Sequence, residues 1–248
     1  MTRPARARRA GGAPAPFAMQ QRYSIRDGIG FCRFEGRTII LDIAADRYWQ
    51  LGEEAGRILE AVSAGVATGI EERALARLVA LGFVASADPV AAGMIEAPAA
   101  SGGVSPPLPS RSAREPARPS ERAGWTTACE VAALAIAARV ALRRLALKTI
   151  LDRFAAHRGG IRSPRSETSL EMLAQRFWRC RRLVPLRPLC LPDSIAFLWF
   201  AMRRGHSPRL VFGVEAFPFT AHCWVQDRDV VLTDALDHAS RFKPILVL

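Results

Sequence analysis

The chain from 190 to 234 carries the pattern that decides the fold of its C-terminal half. It reads C-L-P-D-S-I-A-F-L-W-F-A-M-R-R-G-H (Cys190–His206), then L-V-F-G-V (Leu210–Val214), then A-H-C-W-V-Q-D-R-D-V-V-L-T-D (Ala221–Asp234). The first piece predicts a helix that begins at the cysteine, because proline is tolerated in a first helical turn and R-R-G is typical of a helix end. The other two pieces predict strands. A thiol, a histidine and an aspartate therefore occur in order on a helix start, a strand and the next strand, which are the parts of a nucleophile, its base and an orienting carboxylate.

Cys190 is the predicted nucleophile. Unpaired backbone N–H groups and the positive end of the helix dipole stabilise a thiolate at a helix N-terminus, which lowers the thiol pKa and offers an oxyanion site. Asp193, one turn further along, opposes part of that shift. A cysteine at a helix start is by itself more often a buried apolar residue, so the catalytic interpretation depends on all three residues together.

The strands on either side of Arg228 decide whether the histidine and the aspartate can meet. A hairpin that is symmetric about Arg228 places His222 directly opposite Asp234, close enough for the carboxylate to hold the imidazole. A shift of one residue would turn Asp234 to the other face, so the hypothesis depends on the register. The same register predicts that Cys223 is a core residue, and His238 is the alternative base.

The N-terminal part predicts a smaller α+β unit. Strand-like pieces between 22 and 51 are separated by turns at Asp27-Gly28, Glu35-Gly36 and Ala45-Asp46, which is typical of an antiparallel meander. Helices are predicted from Glu53 to Val62 and from Ile70 to Leu81. A three-stranded sheet backed by helices is either a structural cap or a module that docks a peptide as an added strand.

Composition divides the chain into a disordered basic tail (1–18), a first domain (19–92), a linker (93–122) rich in Pro, Ser and Arg, and a second domain (123–248). Met19 is an alternative start. In the second domain a helix or helix pair is predicted over Trp125–Ile150 and another helix over Ser166–Arg182. The apolar run Val131–Leu142 is interrupted by arginine and is too short for a membrane span, so it predicts a buried helix.

The formal net charge is +12, carried mainly by arginines that are spread over most of the chain. Nucleic-acid binders concentrate such charge on one element, so the pattern argues against nucleic acid as a partner and is compatible with an anionic peptide. Five cysteines without a C-x-x-C pair argue against a disulfide framework and a zinc site, and favour a reducing cytoplasm. No P-loop, G-x-G-x-x-G or H-E-x-x-H motif predicts a bound nucleotide or metal.

Two resemblances add to this reading. The cysteine at a helix start, the H-C-W strand and the following aspartate resemble the transglutaminase-like (papain-like) cysteine protease fold, and the run from C-L-P-D-S-I-A-F to A-H-C-W-V resembles the leader peptidase of lasso-peptide biosynthesis. The N-terminal stretch D-R-Y-W-Q-L-G-E-E-A-G-R-I-L-E resembles the PqqD-like element that recognises leader peptides, a winged-helix-type domain. The fold class implied is α+β, with a PqqD-like domain followed by a transglutaminase-like protease domain, fused in one chain.

The resemblance implies that the first domain binds the leader of a precursor peptide as an added strand and that the second domain cleaves it. Cys190 would attack the scissile carbonyl, His222 would take and return the proton, and Asp234 would orient His222. Residues implied in leader docking, together with one tryptophan near the catalytic site, are Tyr48, Trp49, Leu51, Arg73, Arg77 and Trp224.

The implied partners are the precursor peptide and a lasso cyclase similar to asparagine synthetase, which would close the macrolactam. Maturation as a whole would consume ATP, for which this chain shows no site. Two alternatives stay open: a non-catalytic escort of the precursor, and a Cys-dependent acyltransferase or transglutaminase that uses an amine in place of water.

Overall fold

The computed structural model describes residues 22–66, 71–87, 108–114, 124–158 and 169–248. The predicted tail (1–18) and most of the predicted linker lie outside the described residues. The fold is α+β, in agreement with the sequence prediction.

In residues 22–66 and 71–87, the N-terminal unit contains five strands and two helices. Its strands are β1 (Arg22–Ile25), β2 (Ile29–Phe34), β3 (Arg37–Asp42), β4 (Arg47–Gly52) and β5 (Val84–Ala87), and its helices are α1 (Glu53–Ser63) and α2 (Glu72–Ala80). Strands β2, β3 and β4 form the predicted antiparallel meander. The predicted turns are present, and Gly28, Gly36 and Asp46 adopt positive φ there. The first strand-like piece does not join this meander, because β1 pairs instead with β5, which follows α2.

The two faces of the β2-β3-β4 sheet have different neighbours because side chains alternate along each strand. Ile29 and Ile40 pack against α1 and α2 in one apolar cluster. Ile39 and Leu41 point the other way, into a second cluster that also contains residues from the C-terminal half. The approach is close at Gly30, where a Cβ atom would lie 2.3 Å from the carbonyl oxygen of Ile245. The two halves therefore share a core, whereas the sequence predicts two folding units on a flexible linker.

The C-terminal half begins with helices. They are α3 (Trp125–Arg144), α4 (Leu147–Arg158), α5 (Leu170–Arg181) and α6 (Cys190–Met202), and a short α7 (Leu236–Ala239) follows later. The predicted segment 125–150 is a helix pair, since Leu145 has extended backbone angles. The hydroxyl of Ser169 caps α5 by accepting the N–H of Met172.

The C-terminal sheet has five strands in the order β10-β7-β8-β9-β6. They are β6 (Arg111–Ser112), β7 (Arg209–Ala216), β8 (Phe219–Asp227), β9 (Val230–Val231) and β10 (Lys243–Val247). All neighbours are antiparallel except β6 and β9. Strand β6 lies inside the segment 93–122, so this part of the predicted linker is a strand of the sheet.

Helix α6 lies in the middle of the C-terminal half. The sequence predicts one apolar stripe of Leu191, Ile195, Leu198, Trp199 and Met202, but only Ile195 and Leu198 of these are fully buried. Other residues of the helix are buried on further faces, namely Ala196, Phe197, Phe200 and Ala201. A helix that is apolar all round is typical of a core position, and this position holds the start of α6 in place.

Helix α3 differs from the prediction of a buried helix. Its buried residues are Val131, Ala135 and Ala138, whereas Ile136 and Val140 are 52% and 49% exposed. Among the described residues it is the one helix long and apolar enough to cross a membrane, with a mean hydropathy of 1.4 and 22% of that stretch buried. A single such helix does not establish a membrane span, and the structure is compatible with a soluble protein. The cytoplasmic location stays a prediction.

Candidate active site

The catalytic candidates lie beside the part of strand β8 that is no longer paired with strand β9. Strand β9 pairs with β8 at Gln226 and Asp227, and the N–H of Leu232 still donates to the carbonyl of Val225 at 2.8 Å. In the described chain the ladder ends there, and Cys190 at the start of α6 lies in one pocket with His222 and Cys223. The pocket has a volume of about 210 Å³ and is lined by Arg114, Trp178, Arg181, Arg182, Pro188, Leu189, Cys190, Asp193, Ser194, His222, Cys223, Thr233 and Asp234.

The predicted hairpin register is wrong by one residue. Gln226 is opposite Val231, not Val230, because the turn has two residues, Arg228 and Asp229, and Arg228 adopts a φ of 51°. If this ladder continued, Asp234 would lie on the other face from His222. Instead the chain bends at 232–234, which brings Asp234 back toward His222.

The carboxylate of Asp234 holds two imidazoles. Its Oδ2 lies 2.6 Å from Nε2 of His222 and 2.6 Å from Nδ1 of His238. Because an ionised carboxylate only accepts hydrogen bonds, both nitrogens carry the proton. This leaves Nδ1 of His222 for Cys190. His238, the alternative base, contacts the carboxylate and is absent from the described pocket lining, so His222 is the better placed base.

The electrostatics favour a thiolate–imidazolium pair. The pKa of Cys190 is lowered to about 4, and the largest cause is the hydrogen bond from the Cys223 thiol. Partial burial raises this pKa, but the hydrogen bond and the charge of His222 lower it further. Burial alone would lower the pKa of His222, but hydrogen bonds to Asp234 and Cys190 outweigh it and raise the pKa to about 9. The pair is therefore in its charged form between these two pKa values, with the thiolate ready to attack.

Cys223 is buried, in agreement with its predicted core position, but it also contacts Cys190. Its own pKa is raised well above the ordinary value, first by the hydrogen bond with Cys190 and then by burial. A thiol that stays protonated can donate its S–H to the neighbouring thiolate. Its backbone N–H also donates to Cys190. The strand pattern predicts the burial of Cys223 but not this contact.

Asp193 does not oppose the thiolate with an unpaired charge. Its Oδ1 lies 2.9 Å from Nε of Arg181 and 3.5 Å from a guanidinium nitrogen of Arg139, and the Arg181 and Asp193 side chains are both 2% exposed. Its Oδ2 accepts the N–H of Leu189 at 3.2 Å, the residue before the helix. The aspartate therefore fixes the start of α6 while its charge is compensated within the protein.

Trp224, which the sequence analysis places near the site, is 1% exposed and does not line the pocket in the described residues. It stacks on His222 with ring centroids 6.0 Å apart. Room for the indole comes from Gly213, directly opposite His222 on β7, where a Cβ atom would lie 2.7 Å from the Trp224 ring. Trp224 thus packs against the predicted base.

Of the residues implied in leader docking, Tyr48 contacts the strand that carries His222, although it does not line the pocket in the described residues. Its ring contacts Phe219 of β8 edge-on with centroids 5.5 Å apart. Its pKa is raised, mainly by burial. Trp49 and Leu51 point to the opposite face of the sheet, toward α1 and α2. Arg73 and Arg77 are exposed on α2.

Sequence reasoning missed Arg114 and Trp178 as pocket residues. The sequence predicts only a helix at Trp178, and Arg114 lies in a segment whose composition indicates a linker. A two-residue strand such as β6 has no periodicity to recognise, so no sequence signal identifies its neighbour Arg114.

The donor set of His222, Asp234 and His238 could also hold a metal ion, since one ligand atom from each lies within 4.8 Å of the others. A metal is not needed to satisfy these groups, because both imidazoles already donate to the same carboxylate oxygen. A metal bound there would be coordinated by the Asp234 carboxylate, which would then no longer orient His222. The arrangement therefore fits acid–base work better than a metal site.

The C-terminal part of the chain matches a protein-family model. The model of the transglutaminase-like superfamily matches residues 132–247. This part of the chain is similar to that superfamily. Comparisons with curated proteins and with solved structures returned no significant match. Transglutaminase-like domains are generally cysteine proteases or acyltransferases, and the pocket around Cys190 is compatible with either activity.

Proposed function

We propose that this chain is the leader peptidase of a lasso-peptide system, which binds the leader of a ribosomal precursor and cleaves it from the core by Cys190, His222 and Asp234. One observation supports the chemistry: Cys190, whose pKa is lowered, lies in the same pocket as His222, which is hydrogen-bonded to Asp234. The choice of substrate rests on the resemblance of the sequence to lasso leader peptidases.

In the proposed reaction the thiolate of Cys190 attacks the carbonyl carbon of the last leader residue. His222, as imidazolium, gives its proton to the departing amine of the core, and the leader remains as a thioester on Cys190. Water then attacks the thioester, His222 accepts its proton, and the leader leaves with a new carboxylate. The helix start and the N–H of Cys223 supply donors near the developing oxyanion. The free core amine is the group that a cyclase similar to asparagine synthetase would use, and ATP would be consumed by that partner.

Leader docking is proposed at β4. In the described residues β4 is an edge strand of its sheet, paired with β3 alone, so its outer edge can accept an extended peptide. Tyr48 extends from β4 to Phe219 on the strand that carries His222. A peptide on this edge would pass from the N-terminal sheet to the catalytic pocket over a fixed path, because the two halves share one core.

Mass spectrometry of a precursor incubated with the chain tests the function. We expect two products whose masses add up to the precursor plus one water. An acyltransferase would add the mass of an amine acceptor to the leader product, and an escort would leave the precursor intact. The short precursor gene expected beside an asparagine-synthetase-like gene supplies the substrate.

The docking mode predicts a period of two in the leader. In an added strand only alternate N–H groups face β4, so N-methylation at those positions should weaken binding by about tenfold each, and at the others it should have little effect. Fluorescence anisotropy with the inactive Cys190→Ala variant measures the affinity without cleavage. Losses that do not alternate along the leader would contradict strand addition.

A further inference from the structure

The described segment between the two halves, Ser110–Arg114, runs along the outer edge of the catalytic hairpin. The backbone N–H of Ser110 donates to the carbonyl of Asp229 at 2.8 Å, and β6 pairs with β9. The N–H of Ala113 then donates to the carbonyl of Val231 at 2.8 Å. The segment therefore follows β9 to its last residue, where the bend that delivers Asp234 begins.

Ser112 ties this segment to the bend. Its side chain is buried, and its hydroxyl donates to the backbone carbonyl of Asp234 at 2.5 Å. The hydroxyl oxygen of Ser112 also accepts the backbone N–H of Arg114 at 3.0 Å. One hydroxyl thus fixes the main chain of Asp234 and the start of Arg114 together.

Arg114 faces the other oxygen of the catalytic carboxylate. Its guanidinium lies 3.8 Å from Oδ1 of Asp234 and packs over the Trp178 ring at 4.6 Å. The indole N–H of Trp178 donates to the carbonyl of Leu232 at 3.1 Å. Oδ1 also accepts the N–H of Ala235 at 2.9 Å. With Oδ1 held on this side, Oδ2 is left facing the two imidazoles.

We propose that Ser112 and Arg114 are positioning residues for Asp234, so that the stretch joining the two halves completes the catalytic site. Both lie outside the region 132–247 that matches the superfamily. The inference rests on the proposed Cys190, His222 and Asp234 catalysis, but not on the identity of the peptide substrate.

A substrate-free test uses the rate at which iodoacetate alkylates Cys190. This anionic reagent is attracted by the imidazolium of His222, so the rate falls as His222 loses its proton near pH 9. If Asp234 is no longer aimed at His222, the imidazolium loses its acceptor and the fall moves to lower pH. Loss of a nearby positive charge alone would raise the pKa of His222 and would move the fall in rate to higher pH. In the described residues, the ionisable groups that line the pocket with His222 and Asp234 are Cys190 and Asp193 on α6, Cys223 on β8, Arg114 after β6, Arg181 on α5 and Arg182 after it, and His238 on α7 contacts Asp234.

The variants are Ser112→Ala, Ser112→Thr and Arg114→Ala in the full chain. We expect Ser112→Ala and Arg114→Ala to lower kcat for the precursor by about tenfold with little change in KM, and to move the alkaline fall to lower pH. Ser112→Thr keeps the hydroxyl and should restore both values. Arg111→Ala is the matched control, because Arg111 on the same strand points to Glu171.

Unchanged kcat and an unchanged alkaline fall in Ser112→Ala and Arg114→Ala would overturn the inference while leaving the proposed function intact. A shift to higher pH in Arg114→Ala would also overturn it, by reducing Arg114 to a local charge. If the wild-type chain does not cleave the precursor but the alkylation shifts occur, the proposed function fails and the positioning role stands. Far-UV circular dichroism identifies a variant that has not folded. If either Ser112→Ala or Arg114→Ala fails to fold, the result of the other variant tests the inference.

Discussion

We expect Cys190→Ala to abolish the proposed release of the leader, with kcat/KM falling by on the order of a thousandfold or more, while the affinity for the leader stays unchanged. The sulfur is the only atom removed at this position, and the proposed thioester cannot form without it. Docking at β4 uses a different part of the molecule, so binding should survive. The measurement is the rate of product formation by mass spectrometry, beside anisotropy with labelled leader.

Cys129→Ala is the matched control, because Cys129 is an exposed cysteine on α3 that does not line the pocket. It should cleave at the wild-type rate. Cleavage that persists in Cys190→Ala would remove the nucleophile assignment and leave the escort interpretation in place.

His222 and His238 contact the same oxygen of Asp234, yet we expect very different effects from replacing them. His222→Ala should lower kcat by roughly a hundredfold or more, because the base that faces Cys190 is lost. His238→Ala should cost less than about tenfold, since it removes a second donor to the carboxylate and leaves the transfer path intact. Asp234→Asn should resemble His222→Ala, because an amide can present an N–H to His222 and favour the wrong tautomer.

The comparison of the two histidines has a clear contrary result. If His238→Ala is as inactive as His222→Ala, the two imidazoles act as one unit, and the metal interpretation of this cluster regains weight. Activity that then depends on an added divalent cation would favour it over the proposed acid–base mechanism.

Local rules were sufficient to place Cys190. Proline in the first turn, an apolar run and an R-R-G end determine the helix from short-range sequence alone, and the structure begins α6 at Cys190. The three-stranded meander is also predictable, because its turns at Glu35-Gly36 and Ala45-Asp46 contain residues that tolerate the positive φ adopted by Gly36 and Asp46.

The contact of His222 with Asp234 was predicted through a wrong register. The sequence does not reveal that β9 ends at Val231, because what ends it is the approach of other elements: the start of α6, Trp178 and the Ser110–Arg114 segment. Such partners are distant in sequence, and a hairpin rule cannot include them.

The same limit explains the missed junction between the halves. Proline-rich composition indicates a linker, but it contains no information about the two residues of β6 that pair with β9. The shared core has a related cause, since Ile39 and Leu41 look like ordinary strand residues whether they face solvent, a helix or another sheet.

The pH dependence of Cys190 alkylation by iodoacetate tests the catalytic centre most directly. Peptide-resolved mass spectrometry of a timed reaction gives the rate at Cys190 and, as an internal comparison, at the exposed Cys129. We expect a rate at Cys190 that rises through about pH 4 and falls through about pH 9, following the lowered pKa of the thiol and the raised pKa of His222. A rate that instead rises only around pH 8 to 9, as for an ordinary thiol, would contradict it.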